Sequence, residues 1–495
     1  MSEEQNVKGS APPSPPPEGG NKSLLEEIVE LTAKPTDRDY VQKQKGVKEI
    51  LKYLVAKKDV KQVNRAVLDA FISELDKQIG EQVDEVLHND EFQKLESAWR
   101  SLKFLVDRTD FRENIKIEIL NAPKDELIKD FDFSPDILKS GLYKKVYTEN
   151  LGQFGGIPFS NIIGNYEFGP DPEDVELLEN IASISAMSHA PFISAISPQM
   201  LKIKDFTEMP YIKSIKDIFE DPEYADWRAF RDSEDARYVG LTLPRFLLRL
   251  PYGPKTKKID MFNYEEKATD DHNKYLWGNA AFALASRMVD SFAKYRWYSN
   301  IIGPQSGGTV DKLPVHNYIE DGINQTKIPT EVLIPDRQEL TLSEEGFIGL
   351  SMRKGSNNAA FFSANSTQKP QFFGDTEEGK KAETNFKLGT QLPYMAIINR
   401  LAHYIKVIQR ENIGSWKDKL QLETQLKKWI SQYVVDMVDI KPATRCRKPL
   451  RKAEIIVNDV DGDPGWYEVG IDVQPHYKYM GAYFTLSLVG KLDQE

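Results

Sequence analysis

Cysteine is almost missing from this chain: Cys446 is the one cysteine among 495 residues. A single thiol excludes an internal disulfide framework and any zinc site built on cysteines, and it fits a reducing compartment. Long apolar runs are missing as well. No stretch reaches the roughly 20 residues that a membrane span needs, and no basic segment followed by an apolar one opens the chain. Positive charge is outweighed, with 65 Lys and Arg against 76 Asp and Glu and a net charge of -11. Nucleic acid binding draws on a basic surface, so nucleic acid is not the expected partner. The expected location is the cytoplasm.

Catalytic motifs are equally scarce. There is no G-x-x-x-x-G-K-[ST] loop, no G-x-G-x-x-G after a strand and no G-x-S-x-G elbow. The histidines, His88, His189, His272, His316, His403 and His476, are scattered and lack the i, i+4 spacing of a zinc helix. His403 falls near the apolar face of a helical stretch and reads as a packed, hydrogen-bonded residue. "NDVDGDPG" resembles a calcium loop until its register is checked, because Pro464 stands where such a loop needs glycine. It reads as a hairpin turn. The loop "GPQSGG", Gly303 to Gly308, has the glycines of an anion cradle without the lysine.

What is present is the composition of a globular protein, 40% hydrophobic and 28% charged. Ahead of it lies an arm that cannot fold alone: five prolines between residues 12 and 17, then Gly19-Gly20. "SLLEEIVELT" follows, with Ser23 and Glu26 at capping-box spacing and Leu24, Leu25, Ile28 and Leu31 forming an apolar face. Such a helix is too short to be stable by itself. It either docks on its own protein or serves as bait for another.

From about Lys45 to Thr109 the apolar period is helical. Val60, Val63, Val67, Phe71, Leu75 and Ile79 form one stripe, and Phe92, Leu95, Trp99, Leu102 and Val106 a second, so another element is expected to cover these faces. "NIKIEIL" alternates like a strand. "FSNIIGNYEFG", "PEDVELLENIASISAMSHA" and "PFISAIS" read as strand, helix and strand, a crossover unit of a mixed α/β body. "QLPYMAIINRLAHYIKVIQREN" and "KLQLETQLKKWISQYVVDMV" read as helices, and "KAEIIVNDV", "WYEVGIDVQPH" and "AYFTLSLVGKL" as strands. Between them, Arg237, Arg245 and Arg249 sit among apolar residues beside Glu234 and Asp235. This cluster reads as structural ion pairs, with a phosphate clamp as the rival.

Several long stretches, in order, carry a resemblance: "FGGIPFSNIIGNYEFG", "HAPFISAISP", "SEDARYVGLTLPRFLLRLPYG", "YLWGNAAFALASRMVDSFAKY" and "QLPYMAIINRLAHYIKVI". Together they resemble the large contractile sheath subunit of bacterial type VI secretion systems, the TssC (VipB, EvpB) family, from about residue 23 to the end. The resemblance implies a non-enzymatic cytoplasmic protein of mixed α/β (α+β) class, with a phage-tail-sheath-like core, an N-terminal helical region and C-terminal β-strands. It implies pairing with a small sheath subunit (TssB or VipA), helical stacking around a tube of Hcp rings on a baseplate, and contraction that drives the tube outwards. It implies no cofactor and no metal. A Clp-class ATPase (ClpV) recycles the spent sheath in most such systems and recognises the N-terminal segment, here the helix of Leu24, Leu25, Ile28 and Leu31.

The expected domains are a Pro-rich arm (1–22), a bait helix with helical layer (23–110), a sheath α/β domain with insertions (111–385) and C-terminal helices with a β-hairpin (386–495). Val63, Val67, Phe71 and Leu75 are expected to meet the small subunit. Ile455, Ile456, Val457, Val469 and Ile471 are expected in strand pairing between subunits. The alternative is a soluble cytoplasmic enzyme binding an anionic substrate with the "GPQSGG" loop and the Arg237–Arg249 cluster.

Overall fold

The computed structural model describes Lys45 and residues 65–476, apart from 416, 417, 438, 439 and 460–466, and apart from the side chains of 65–68 and 71. The Pro-rich arm, the expected "SLLEEIVELT" helix, Val63, the "DGDPG" turn and "AYFTLSLVGKL" therefore lie outside the described residues. Contacts group the chain into two units, Met1–Ile79 and Gly80–Glu495.

Helix α1 (Arg65–Leu87) runs from the first unit into the second. Helix α2 (Asp90–Asp107) starts at Asn89, whose side chain accepts hydrogen bonds from the amides of Glu91 and Phe92, with Asp90 and Glu91 favoured in the first turn by the helix dipole.

The centre of the second unit is a six-stranded sheet in the order β1-β2-β3-β9-β10-β6. Strands β1 (Ile162–Phe168), β2 (Phe192–Ile196), β3 (Val239–Leu243) and β9 (Phe347–Met352) run parallel; β10 (Ala359–Phe361) and β6 (Thr309–Val310) add antiparallel. β2 and β3 are buried throughout, which is why both read as unbroken apolar runs. Helix α3 (Pro172–Ser188) is the crossover between β1 and β2; it opens with Pro172, Glu173 and Asp174 and ends at His189 in the left-handed region. Val175, Leu178 and Ile181 of α3 pack on one face of the sheet with Phe192, Leu241 and Phe347. On the opposite face, helix α4 (Ala280–Tyr295) places Ala280, Leu284 and Met288 against Ile193, Ile348 and Phe361. The period-two alternation of β2 and β9 thus divides two cores, in a helix–sheet–helix sandwich.

Between β3 and β9 the chain adds two small sheets. β4 (Phe246–Leu247) pairs with β5 (Trp277–Gly278), and β7 (His316–Glu320) with β8 (Ile323–Lys327). The second hairpin turns through Asp321 and Gly322, both at positive φ, as two-residue β-turns require. Helix α5 (Leu392–Asn412) then joins two cores. Leu392 and Ala396 lie under the central sheet, while Ile397 and Leu401 belong to a third cluster with helix α6 (Lys419–Ser431) and the hairpin β11 (Leu450–Asp459) and β12 (Tyr467–Pro475).

One strand expectation is corrected. "NIKIEIL" forms no ladder with any described residue. Ile117 packs with Ile163 of β1 on the α4 side of the sheet, against Leu105, Phe282 and Ala285. Five residues later, the Ala122 carbonyl accepts a hydrogen bond from the Tyr166 hydroxyl (2.6 Å), and both residues pack on the α3 side. The segment therefore crosses the outer edge of β1 instead of extending it, one way in which an edge strand is kept from pairing. The helix read in "KLQLETQLKKWISQYVVDMV" is also shorter than its pattern, ending at Ser431.

Candidate functional site

Helix α2 is amphipathic in an inverted sense. Phe92, Leu95, Trp99, Leu102 and Val106 follow each other at spacings of three, four, three and four residues, the a/d rhythm of a coiled-coil seam. This seam faces outwards: Phe92 is 37%, Leu95 56%, Trp99 64% and Val106 38% exposed. The polar side of the helix faces the protein. Gln93 donates to the Asn273 carbonyl (3.1 Å) and Ser97 to the Trp277 carbonyl (2.7 Å). Arg100 donates to Glu96 (2.6 Å) and to the Tyr252 hydroxyl (2.9 Å).

Arg249 is the hub beneath. Its Nε donates to Glu96 (2.9 Å), and its two terminal nitrogens to Glu266 (2.6 and 3.2 Å). Glu266 also accepts from the Tyr252 amide (2.9 Å) and lies 3.3 Å from His88 Nε2. Burial pushes the Glu96 carboxyl up, but Arg249 and Arg100 outweigh it and hold the carboxyl below its ordinary range.

A second cluster is built on Glu331. Arg245 grips it with Nε (3.0 Å) and Nη2 (2.7 Å), and the Arg245 amide adds a third bond (3.0 Å). His272 Nε2 lies 3.1 Å from the same carboxylate, and its Nδ1 lies 2.8 Å from Lys327 Nζ. Burial raises the Glu331 carboxyl, yet the His272 and Arg245 contacts prevail and leave it lowered.

A carboxyl lowered by folding contributes stability that is complete above its unfolded value and is lost as pH falls through the folded one. Thermal unfolding is therefore expected to shift downwards as pH drops below the ordinary glutamate value of 4.5. Glu331→Gln should flatten that acid limb while lowering stability at pH 7 by about 3–5 kcal/mol, the typical cost of breaking a buried pair. Melting curves from pH 3 to 8 check both.

The partners of Arg245 and Arg249 are thus Glu331, Glu96 and Glu266, not the neighbouring Glu234 and Asp235. Arg237 donates to the Glu234 carbonyl (2.9 Å), and Asp235 accepts from the Ser183 hydroxyl (2.9 Å). Sequence reading missed Glu96, Glu266 and Glu331. Glu331 carried a signal, as the one charge in the run "IPTEVLIP". The other two did not, since Glu96 sits beside the apolar seam and Glu266 within "YEEKATDD".

The "GPQSGG" loop is a connector. The amides of Gly303, Ser306 and Gly308 donate to Phe361, Gly303 and Gly303 carbonyls, so they face no anion. A Cβ at Gly307 would stand 2.2 Å from the Asn300 carbonyl oxygen, which explains the glycine by close approach. His403 is buried, with Nε2 2.8 Å from the Ser188 carbonyl oxygen. Among the described residues no group of three or more His, Cys, Asp and Glu could hold a metal ion, and no helix is long and apolar enough to cross a membrane.

In the third cluster, Leu422, Leu426 and Ile430 of α6 cover one face of the β11–β12 hairpin. Ile455 and Val457 are buried there, Val469 and Ile471 are half-buried, and Ile456 points away, 45% exposed. The sheet has two strands only; the outer edge of β11 is bridged at Leu450 by Val434, and beyond that bridge neither outer edge has a strand partner among the described residues. Of the residues expected at the small subunit, Leu75 is half-buried on α1; Val67 and Phe71 lie on that helix with undescribed side chains.

The family comparison and a curated relative point to one family. The tail sheath N-terminal domain of the VipB/EvpB family matches residues 69–368, and the family's tail sheath gpW/gp25-like domain matches residues 381–492. The chain belongs to the VipB/EvpB tail sheath family. A type VI secretion system sheath protein, TssC1 of Pseudomonas aeruginosa, is 42% identical over 430 residues, which cover 86% of each chain. Among solved structures, the baseplate of the anti-feeding prophage aligns at 9% identity and a TM-score of 0.36, over 77% of this chain and 84% of that one. The contracted helical sheath of the same prophage aligns at 10% identity and a TM-score of 0.32, over 65% and 68%. Within the family's two domains, the helix–sheet–helix sandwich, the α2 seam and both glutamate clusters fall in the tail sheath N-terminal part. The β11–β12 hairpin falls in the gpW/gp25-like part.

Proposed function

We propose that this chain is a structural subunit of a type VI secretion contractile sheath, which surrounds a tube of Hcp rings and contracts to propel it. The observation that carries the reading is the succession of two tail sheath domains along residues 69–368 and 381–492. Against the enzyme alternative, Arg245 and Arg249 are engaged by buried glutamates, and the amides of Gly303, Ser306 and Gly308 by carbonyls. Co-expression with the small sheath subunit of the same bacterium, followed by sedimentation and negative-stain microscopy, tests the reading. Hollow tubes support it; a soluble complex that never polymerises refutes it.

Pairing with that small subunit is proposed to use the helical layer of residues 23–110. The stripe of Val63, Val67, Phe71 and Leu75 is proposed as one contact, and the exposed seam of α2 as another. The three-four spacing of the seam suits an α-helix as occupant, crossing at about +20°. The remaining proposed boundaries are an arm at 1–22, a sheath domain at 111–385 and a C-terminal region at 386–495. Glu234, Asp235, Arg237, Arg245 and Arg249 are proposed as structural, without a catalytic part. The sheath would stand on a baseplate in the bacterial cytoplasm and need no cofactor.

Leu24, Leu25, Ile28 and Leu31 are proposed as the face read by a Clp-class recycling ATPase, a helix-in-groove contact. Leu24→Asp with Ile28→Asp should leave tubes intact and abolish capture of contracted sheaths by the ATPase amino-terminal domain. Equal capture of variant and wild type would return this helix to its own protein.

A further inference from the structure

The two halves of α2 are held by different means. Its C-terminal half is anchored by packing: Ser101 and Leu105 are buried, Leu105 against Phe282 and Ala285, and the Phe104 ring lies 4.9 Å from that of Phe246. Its N-terminal half, which presents Phe92, Leu95 and Trp99, has no buried residue at all. That half is tied down by polar contacts, from Gln93, Glu96, Ser97 and Arg100 to the segment 249–277. Only Glu96 among them meets a buried charge. Arg249 is in turn fixed from behind by Glu266, so its fork is oriented before it meets the helix.

We infer that Arg249 is a positioning residue for partner docking: through Glu96 it fixes the N-terminal half of α2, so that Phe92, Leu95 and Trp99 stand as a rigid row for the incoming helix. The inference rests on the helix-docking reading given above and deepens it. A row already ordered loses less freedom on association than one that must be ordered in the act. Without Arg249, Glu96 and Glu266 would face each other as like charges, Glu96 keeping only Arg100 as its cation, and the helix end they hold would be pushed off its bed. Arg245 supplies an internal control. It makes a similar two-nitrogen fork with the buried Glu331, and none of its described hydrogen bonds or ion pairs goes to α2.

The test uses the full chain co-expressed with an affinity-tagged small sheath subunit. Arg249→Met and Glu96→Gln are expected to lower the recovered chain at least tenfold at equal soluble level. Arg245→Met and Glu331→Gln should stay within twofold of wild type. In hydrogen exchange, Arg249→Met should speed exchange of amides 90–100 and leave 280–295 unchanged. If Arg249→Met proves insoluble, Glu96→Gln decides, since it keeps the side-chain shape and removes only the charge. Equal losses in both pairs, or full recovery of Glu96→Gln and Arg249→Met, overturn the positioning role. Trp99→Asp separates the two layers of the argument. If it is recovered normally, the docking reading falls and this inference with it; if it is lost while Arg249→Met is retained, only the positioning role falls.

Discussion

Proline at Ile456 or at Val469 is expected to stop sheath assembly. Ile456 stands opposite Gly470 and Val457 opposite Val469, two successive pairs of an antiparallel ladder. Successive pairs alternate between those that exchange hydrogen bonds and those whose amides point outwards. One of the two prolines therefore removes a bond inside the hairpin, and the other removes a donor from its open edge. The inner one should unfold the hairpin from α6. The outer one should leave the hairpin in place and still prevent tubes, if a neighbouring strand completes that edge. Ile455 and Val457 are buried under α6, so their side chains anchor the hairpin and pairing between subunits would run through the main chain. Lengthening the "DGDPG" connector should be tolerated, because loop closure grows slowly with length. Tubes of normal length from the outer variant would contradict strand pairing at this edge. Circular dichroism and microscopy of both variants distinguish the cases.

Leu95→Asp or Trp99→Asp is expected to abolish pairing with the small subunit while leaving the chain folded. Both side chains are more than half exposed, so a carboxylate there costs the isolated chain little. In a docked seam the same carboxylate would be buried without a partner, and truncating a central aromatic alone typically costs about 2–4 kcal/mol. A fall in affinity of roughly 30- to 1,000-fold follows. Glu91→Ala, on the same helix but beside the seam, should change capture by less than threefold. Quantitative pull-down at fixed chain concentration measures the three together.

The central fold was largely legible in the sequence, because fully buried parallel strands and their crossover helix leave strong patterns. β1, α3, β2, α5, β11 and β12 lie where their patterns put them. "NIKIEIL" misled because alternation reports one covered and one exposed face, and a chain crossing a sheet edge meets that condition without a ladder. The α2 stripe was visible as a stripe, but which side of the helix meets the protein was not. That depends on Arg249 and Glu266 arriving from about 150 residues away, a pairing no local pattern encodes. The charged partners were misassigned for the same reason. Proximity in sequence suggested Glu234 and Asp235, whereas the sheet and its insertions bring Glu331 to Arg245.

Contraction is the function at stake, and it can be watched. Time-lapse fluorescence of the native bacterium, with the small sheath subunit labelled, should show straight cytoplasmic rods that shorten in a single fast step and then disperse. Deleting the gene for this chain should abolish the rods, and restoring it should bring them back. Rods that form and shorten without this chain, or fluorescence that stays diffuse with it present, would contradict a contractile sheath subunit.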